Sequence, residues 1–298
     1  MPMSNESNGG NVLETTVIVN HALRALLYEV TVNPKPGLVD PLSAGPHPDM
    51  NAFMFIDSAL SLEPYFKACA SAGATYTADD LTGLFQEIRS IGVEAERTMF
   101  AATNGVNTHK GAVFSLGILV TAAAYHAQQP AQTLTTIVQA MLKGLTANDF
   151  SGLDTKDPAT LTAGEREYLT YGIKGIRGEA EAGYPTVMTV ALPALQRSHG
   201  TINQRLLDTL MAIVQATVDT NLVKRARDPH VVDWVHEQAQ RYFELGGSRT
   251  EVGMAFLGEL NQIFLTRHYS LGGSADLLIL TIFLGLETQL LAWFGSSV

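Results

Sequence analysis

Gly105-Val-Asn-Thr-His-Lys-Gly111 runs directly into the apolar stretch Ala112–Ala124. The two glycines permit a tight backbone path, and the stretch that follows is too apolar on every side to be a surface helix. The reading is a central, buried helix over 111–128, N-capped by Asn107 or Thr108. His109 and Lys110 then fall at or beside its first turn. A cation there opposes the helix macrodipole by about 0.3–1 kcal/mol, and an anion seated between Lys110 and the free N–H groups removes the conflict. A phosphate site is therefore the expectation, and a solvated lysine at a helix start is the plain alternative.

A helix buried on all sides needs other helices around it. Apolar residues recur at helical spacing over 15–32, 51–72, 79–101, 131–145, 186–196, 203–225, 231–245, 250–267 and 275–294. Thr77 to Asp80, Thr162 to Glu165 and Ser248 to Glu251 read as capping boxes. No stretch alternates in the manner of a strand. The expectation is an all-α protein, with residues 13–298 forming a single compact multi-helix domain whose catalytic loops lie at helix ends. Residues 1–12, rich in Asn, Ser and Gly, are expected to be a disordered tail. Hydrophobic residues make up 46% and charged ones 16%, which requires a large core.

Three further loops carry chemistry. Residues 33–50 hold five of the 12 prolines, so no helix passes through them. They carry Lys35, Asp40, His47 and Asp49, a set suited to phosphate and metal, although a rigid surface connection would share the prolines. Residues 171–185 combine four glycines with Lys174, Arg177, Glu179 and Glu181. They match neither a Walker A loop nor a dinucleotide fingerprint. Leu271-Gly-Gly-Ser-Ala-Asp276 precedes the last helix, with Ser274 as its expected N-cap and Asp276 complementing the dipole. Asp219 lies among Ile213, Val214, Val218 and Leu222, where a carboxylate needs a partner such as Arg225 or Arg177. Glu94 and Glu96 read as solvated.

Composition excludes several classes. A net charge of −10 argues against a nucleic-acid partner. The lone Cys69 leaves no disulfide and no cysteine zinc site. The N-terminus lacks the basic and apolar regions of a signal peptide. The apolar run Leu277–Phe294 is interrupted by Glu287 and Gln289 and reads as a buried helix rather than a membrane span. The expected location is cytoplasmic.

Taken together, these blocks resemble the triphosphoribosyl-dephospho-CoA synthase family. They are Pro34-Lys-Pro-Gly-Leu-Val-Asp40, His47 with Asp49-Met50, Gly105–Gly111, Arg177-Gly-Glu-Ala-Glu-Ala-Gly-Tyr-Pro185, Asp219-Thr-Asn221 and Gly272-Gly-Ser-Ala-Asp-Leu-Leu278, in the family's order. The sequence departs from the family pattern at Ala226-Arg227, at Leu271 and at Pro41. The resemblance implies an enzyme that uses ATP and 3′-dephospho-CoA to make 2′-(5″-triphosphoribosyl)-3′-dephospho-CoA, releasing adenine. Another enzyme would then transfer that product to the acyl carrier subunit of citrate lyase or of malonate decarboxylase. It further implies Mg²⁺ entering as Mg-ATP. In this reading Lys35, Lys110, Arg177, Arg225, Asn107 and Ser274 bind ATP and its phosphates, and Asp40, His47 and Asp49 shape the metal end. Glu179, Glu181, Asp219 and His109 are the catalytic candidates. Two rivals stand beside it, a metal-dependent N-glycoside hydrolase and a non-catalytic nucleotide-binding protein. A homodimer is an open assembly.

Overall fold

An apolar helix must be covered on every side, and the fold does this with helices from both ends of the chain. The structure, a computed structural model, describes residues 6–291. Helices α1 (Glu6–Thr31), α2 (Ala52–Ser61), α3 (Glu63–Thr75), α4 (Leu81–Ala102), α5 (Lys110–Gln128) and α6 (Leu134–Met141) form the first half. Of these, α1, α3, α4 and α6 pack on α5, whose Ala112–Tyr125 segment is buried at all but Phe114. The closest of these packings, α3 on α5, depends on two glycines. A Cβ on Gly73 would stand 2.2 Å from the Thr121 carbonyl oxygen, and one on Gly117 would stand 1.9 Å from the Tyr65 hydroxyl. Tyr65 instead donates to the Val113 carbonyl at 3.0 Å, locking the two helices in register.

The second half continues with α7 (Leu145–Asp149), α8 (Ala163–Tyr171), α9 (Gly175–Glu181), a π-helical turn (Val187–Ala191), α10 (Leu192–Arg197), α11 (Ile202–Ala216), α12 (Thr220–Ala226), α13 (Val231–Glu244), α14 (Glu251–Arg267) and α15 (Gly272–Glu287). Helix α15 packs on α1, α5 and α11, so the last helix completes the wall around the central one. One hydrophobic cluster runs from Ile18 to Leu291. Among the described residues there is no strand, only an isolated bridge between Asp40 and Ser43. The all-α expectation is met. Helix α5 is long and apolar enough to span a membrane by composition, and here it is the buried core helix.

Several boundaries differ from the sequence reading, each for a local reason. The helix expected over 51–72 breaks at Leu62, because Pro64 takes the second position of a new helix. The helix expected over 203–225 ends at Ala216, and Asp219 starts α12 by accepting from Asn221 and Leu222 N–H. Asp80 alone caps α4, and Thr250, not Ser248, caps α14. Thr162 and Glu165 do form the expected capping box. The glycine-rich stretch expected as loop contains α9. Helix α15 ends at Glu287 rather than Phe294, which lies outside the described residues. Residues 1–5 of the expected disordered tail also lie outside them.

Candidate active site

Helix ends converge on one side of the core and leave a cleft of about 1050 Å³. Its walls come from the 33–50 loop, the start of α5, α8, α9, the break before α12 and the start of α15. Single-ligand pockets span roughly 300–1,000 Å³, and this one stands at the top of that range.

Carboxyl groups crowd one side. Asp219 is buried, and its partners are donors rather than the arginine expected. Its Oδ1 accepts from Asn221 N–H at 2.9 Å and Leu222 N–H at 3.2 Å, and its Oδ2 accepts from Ser274 N–H at 2.7 Å and Ser274 Oγ at 2.8 Å. One carboxylate thus caps α12 and α15 together. Ser274 is therefore not the N-cap of α15. It is the third residue of that helix, turned toward Asp219 and off the cleft wall. Burial raises the Asp219 carboxyl while the Ser274, Leu222 and Gly273 donors pull it back down. Glu29, on the α1 face of the cleft, is ion-paired with the Lys35 ammonium. Asp276 packs on Gly111 so closely that a Cβ there would stand 2.0 Å from its Oδ2. Burial, followed by the charges of Asp219 and Glu29, pushes the Asp276 carboxyl up to about 8. Glu179 also lines the cleft, its two oxygens accepting from the hydroxyl and N–H of Thr186.

Cations and a neutral imidazole line the cleft as well. The Arg225 guanidinium donates to the His268 carbonyl at 3.1 Å and contacts His47 Nδ1 at 3.0 Å. His47 Nε2 meets Ser270 Oγ at 3.1 Å. Burial, then Arg225, lowers the His47 pKa to about 4, so this ring is neutral at pH 7. Asp49 and Lys224 share this wall, and burial raises nearby Glu167 to about 7 against the pull of Lys224. Lys110 reaches Glu96 at 2.9 Å and keeps half of its side chain exposed at the cleft edge.

The 105–111 loop lies along the wall. Asn107 Oδ1 accepts from Lys110 N–H at 3.2 Å, satisfying one first-turn donor of α5. His109 is buried, with Nδ1 bonded to Ser58 Oγ at 2.7 Å and Nε2 without a partner. Burial, reinforced by Lys35, lowers its pKa to about 3, so it offers a neutral ring nitrogen.

The remaining sequence candidates lie off the wall. Lys35 is fully buried and its ammonium also donates to the Glu29 carbonyl at 2.6 Å. Asp40 accepts from Lys35, Leu42 and Ser43 N–H and so shapes its own loop. Arg177 pairs with Asp149 and lies over the Phe114 ring. Glu181 accepts from the Thr146 hydroxyl. Of the expected metal set, His47 and Asp49 reach the cleft and Asp40 does not, and no group of three His, Cys, Asp or Glu able to hold a metal forms among the described residues. Glu29, Glu167, Lys224 and Asp276 were not singled out as site residues from sequence. Lys224 precedes Arg225 by one position, a signal available in the sequence. The others become visible only when distant helix ends meet.

Cationic anchors facing a crowd of carboxyls, in a cleft at the ends of helices, define a helical enzyme that handles a polyanionic substrate. The chain belongs to the family described as ATP:dephospho-CoA triphosphoribosyl transferase, which matches residues 15–294. It is 82% identical over 280 residues to a probable 2-(5″-triphosphoribosyl)-3′-dephosphocoenzyme-A synthase of Lactiplantibacillus plantarum, covering 94% of this chain and 100% of that protein. A protein named CitXG from Leuconostoc mesenteroides subsp. cremoris is 49% identical over 271 residues, which are 90% of this chain and 58% of that longer protein. A probable synthase of the same name from Streptococcus equi subsp. zooepidemicus is 42% identical, covering 90% of this chain and 96% of that protein. No solved structure matches the chain.

Proposed function

We propose that this cleft transfers the 5-triphosphoribosyl group of ATP to the 2′-hydroxyl of 3′-dephospho-CoA and releases adenine. The observation that carries the reading is one continuous cleft lined by the cations Arg225, Lys224 and Lys110 and by the carboxyls Glu179, Asp276 and Glu29. Breaking an N-glycosidic bond while keeping the triphosphate requires both. Cations hold the phosphates, and a fixed negative charge stabilises the ribose as it approaches an oxocarbenium ion.

Arg225, Lys224 and Lys110 are the phosphate anchors in this reading. Glu179, oriented by Thr186, presents its carboxylate to the ribose. His109, neutral and with Nε2 free, orients a substrate hydroxyl. Mg²⁺ fits as a companion of ATP rather than as a resident ion, since it keeps several waters and needs only one or two carboxylates besides the phosphates. Asp49 is the carboxylate on the phosphate wall suited to its hydration shell, and the ion's contribution is to neutralise triphosphate charge. We place the reaction in the cytoplasm, where ATP and CoA precursors occur together. The product would feed a second transferase acting on an acyl carrier subunit of citrate lyase, a reading supported by the likeness to CitXG.

Incubation with ATP, Mg²⁺ and dephospho-CoA should give adenine and the triphosphoribosyl adduct in equal amounts, and chelation should stop it. Free triphosphoribose in place of the adduct would mark a hydrolase. ATP binding with no adenine released would mark a non-catalytic binder.

A further inference from the structure

Four carboxyl groups on one side of the cleft differ in what touches them. Glu29 is held by the Lys35 ammonium, Asp219 by backbone and hydroxyl donors, and Glu179 by Thr186. The backbone N–H groups on Asp219 can only donate, and they pull its carboxyl back against the rise that burial causes. Asp276 makes no hydrogen bond or ion pair among the described residues. It keeps some surface toward the cleft, with protein on its other sides. Gly111, at the first turn of α5, leaves the space its Oδ2 fills. Asp276 can accept a proton without losing a partner.

We infer that Asp276, set on Gly111 at the cleft wall with no donor of its own, is the general acid that protonates the departing adenine. The assignment rests on the transfer reaction proposed above. The bond from the ribose anomeric carbon to N9 breaks with its electron pair passing to the purine. The Asp276 carboxyl gives its proton to a purine ring nitrogen, and adenine leaves neutral. The 2′-oxygen of dephospho-CoA bonds to the same carbon, and its proton passes to the Glu179 carboxylate. Exchange with water returns both carboxyls to their starting states.

The surroundings agree from every side. The charges of Glu29, on α1 and paired with Lys35, and of Asp219, at the start of α12, act on Asp276, and the Tyr184 hydroxyl is acted on by both Asp276 and Glu179. His109 on the α5 side is neutral. The upward shift to about 8 leaves the carboxyl mostly protonated at pH 7. Glu167, raised to about 7, lies near the Lys224 ammonium, a phosphate anchor in the reading above.

The test compares two leaving groups, adenine in ATP and 4-nitrophenolate in 4-nitrophenyl riboside 5′-triphosphate, which departs without a proton. Asp276→Asn should slow single-turnover adenine release by about 10²–10⁴-fold, the range for general acid catalysis, and slow nitrophenolate release by only a few-fold. Equal slowing of both, or of neither, would overturn the assignment. The wild-type enzyme supplies a second reading that needs no variant. Its adenine release should fall as pH rises through about 8, because the protonated form is consumed, while nitrophenolate release should show no such limb. The same limb with both substrates would also overturn it. Wild-type protein that releases no adenine from ATP and dephospho-CoA would sink the transfer reading itself.

Discussion

The 33–50 loop and the 105–111 loop have similar ingredients, glycine, a lysine, a histidine and polar residues, yet the fold uses them differently. In the first, Lys35 and Asp40 turn inward: the ammonium is spent on Glu29 and the carboxylate on three backbone N–H groups. Of its charged residues and its histidine, only Asp49 and His47, at the far end, reach the cleft. In the second, Asn107, His109 and Lys110 all line the cleft, and a buried imidazole nitrogen is left without a partner. A charged residue in a loop becomes available for chemistry when the protein does not already satisfy it. Glu179 and Glu181 differ in another way: each accepts from the hydroxyl and N–H of one threonine, Thr186 and Thr146, yet only Glu179 lines the cleft.

Variants can break or sharpen this contrast. The largest effect is expected at Lys35. Its Lys35→Met variant strands the Glu29 carboxylate in the core, and breaking such a buried pair costs about 3–5 kcal/mol. Urea denaturation should show that loss, while ATP affinity in the folded fraction stays within a few-fold. A large drop in ATP affinity with stability intact would return Lys35 to the phosphate site. Next comes Glu179→Gln, which should lower single-turnover adenine release by ~10²-fold, about 2.7 kcal/mol in the barrier, with the ATP dissociation constant nearly unchanged. Normal turnover would reduce Glu179 to a partner of Thr186. The smallest effect belongs to Lys110→Ala. Its Glu96 pair is surface-exposed and contributes little to stability, so the change should appear as ATP affinity weakened by about 1 kcal/mol. Calorimetric titration showing unaltered ATP binding would make Lys110 a surface ion pair only.

The sequence already shows the central helix, since Ala112–Ala124 admits no other setting, and it shows that everything around it is helical. It hides the breaks at Leu62 and between Ala216 and Asp219, because apolar spacing runs on through both and a break costs nothing where a carboxylate or proline can start the next helix. The Gly105–Gly111 stretch was legible as site because its glycines and cation conflict with an ordinary helix start. Asp276 was not. In isolation an acid in a first turn is ordinary dipole complementation, and only the arrival of Glu29 and Asp219 changes its meaning. Asp219 itself announced a need for a partner but not which one, since its donors are backbone groups of the helix it starts and the N–H and hydroxyl of Ser274 on a distant one.

The double cap made by Asp219 has a consequence for the newborn chain. Residue 219 cannot satisfy both of its oxygens until Ser274 has been synthesised, and Gly111 has nothing to pack against until Asp276 follows. The cleft is therefore among the last features to exist as translation proceeds. A ribosome stalled before α15 would hold a chain with its core helix made and one wall of its reaction chamber missing. Partial products of this gene should carry no partial activity.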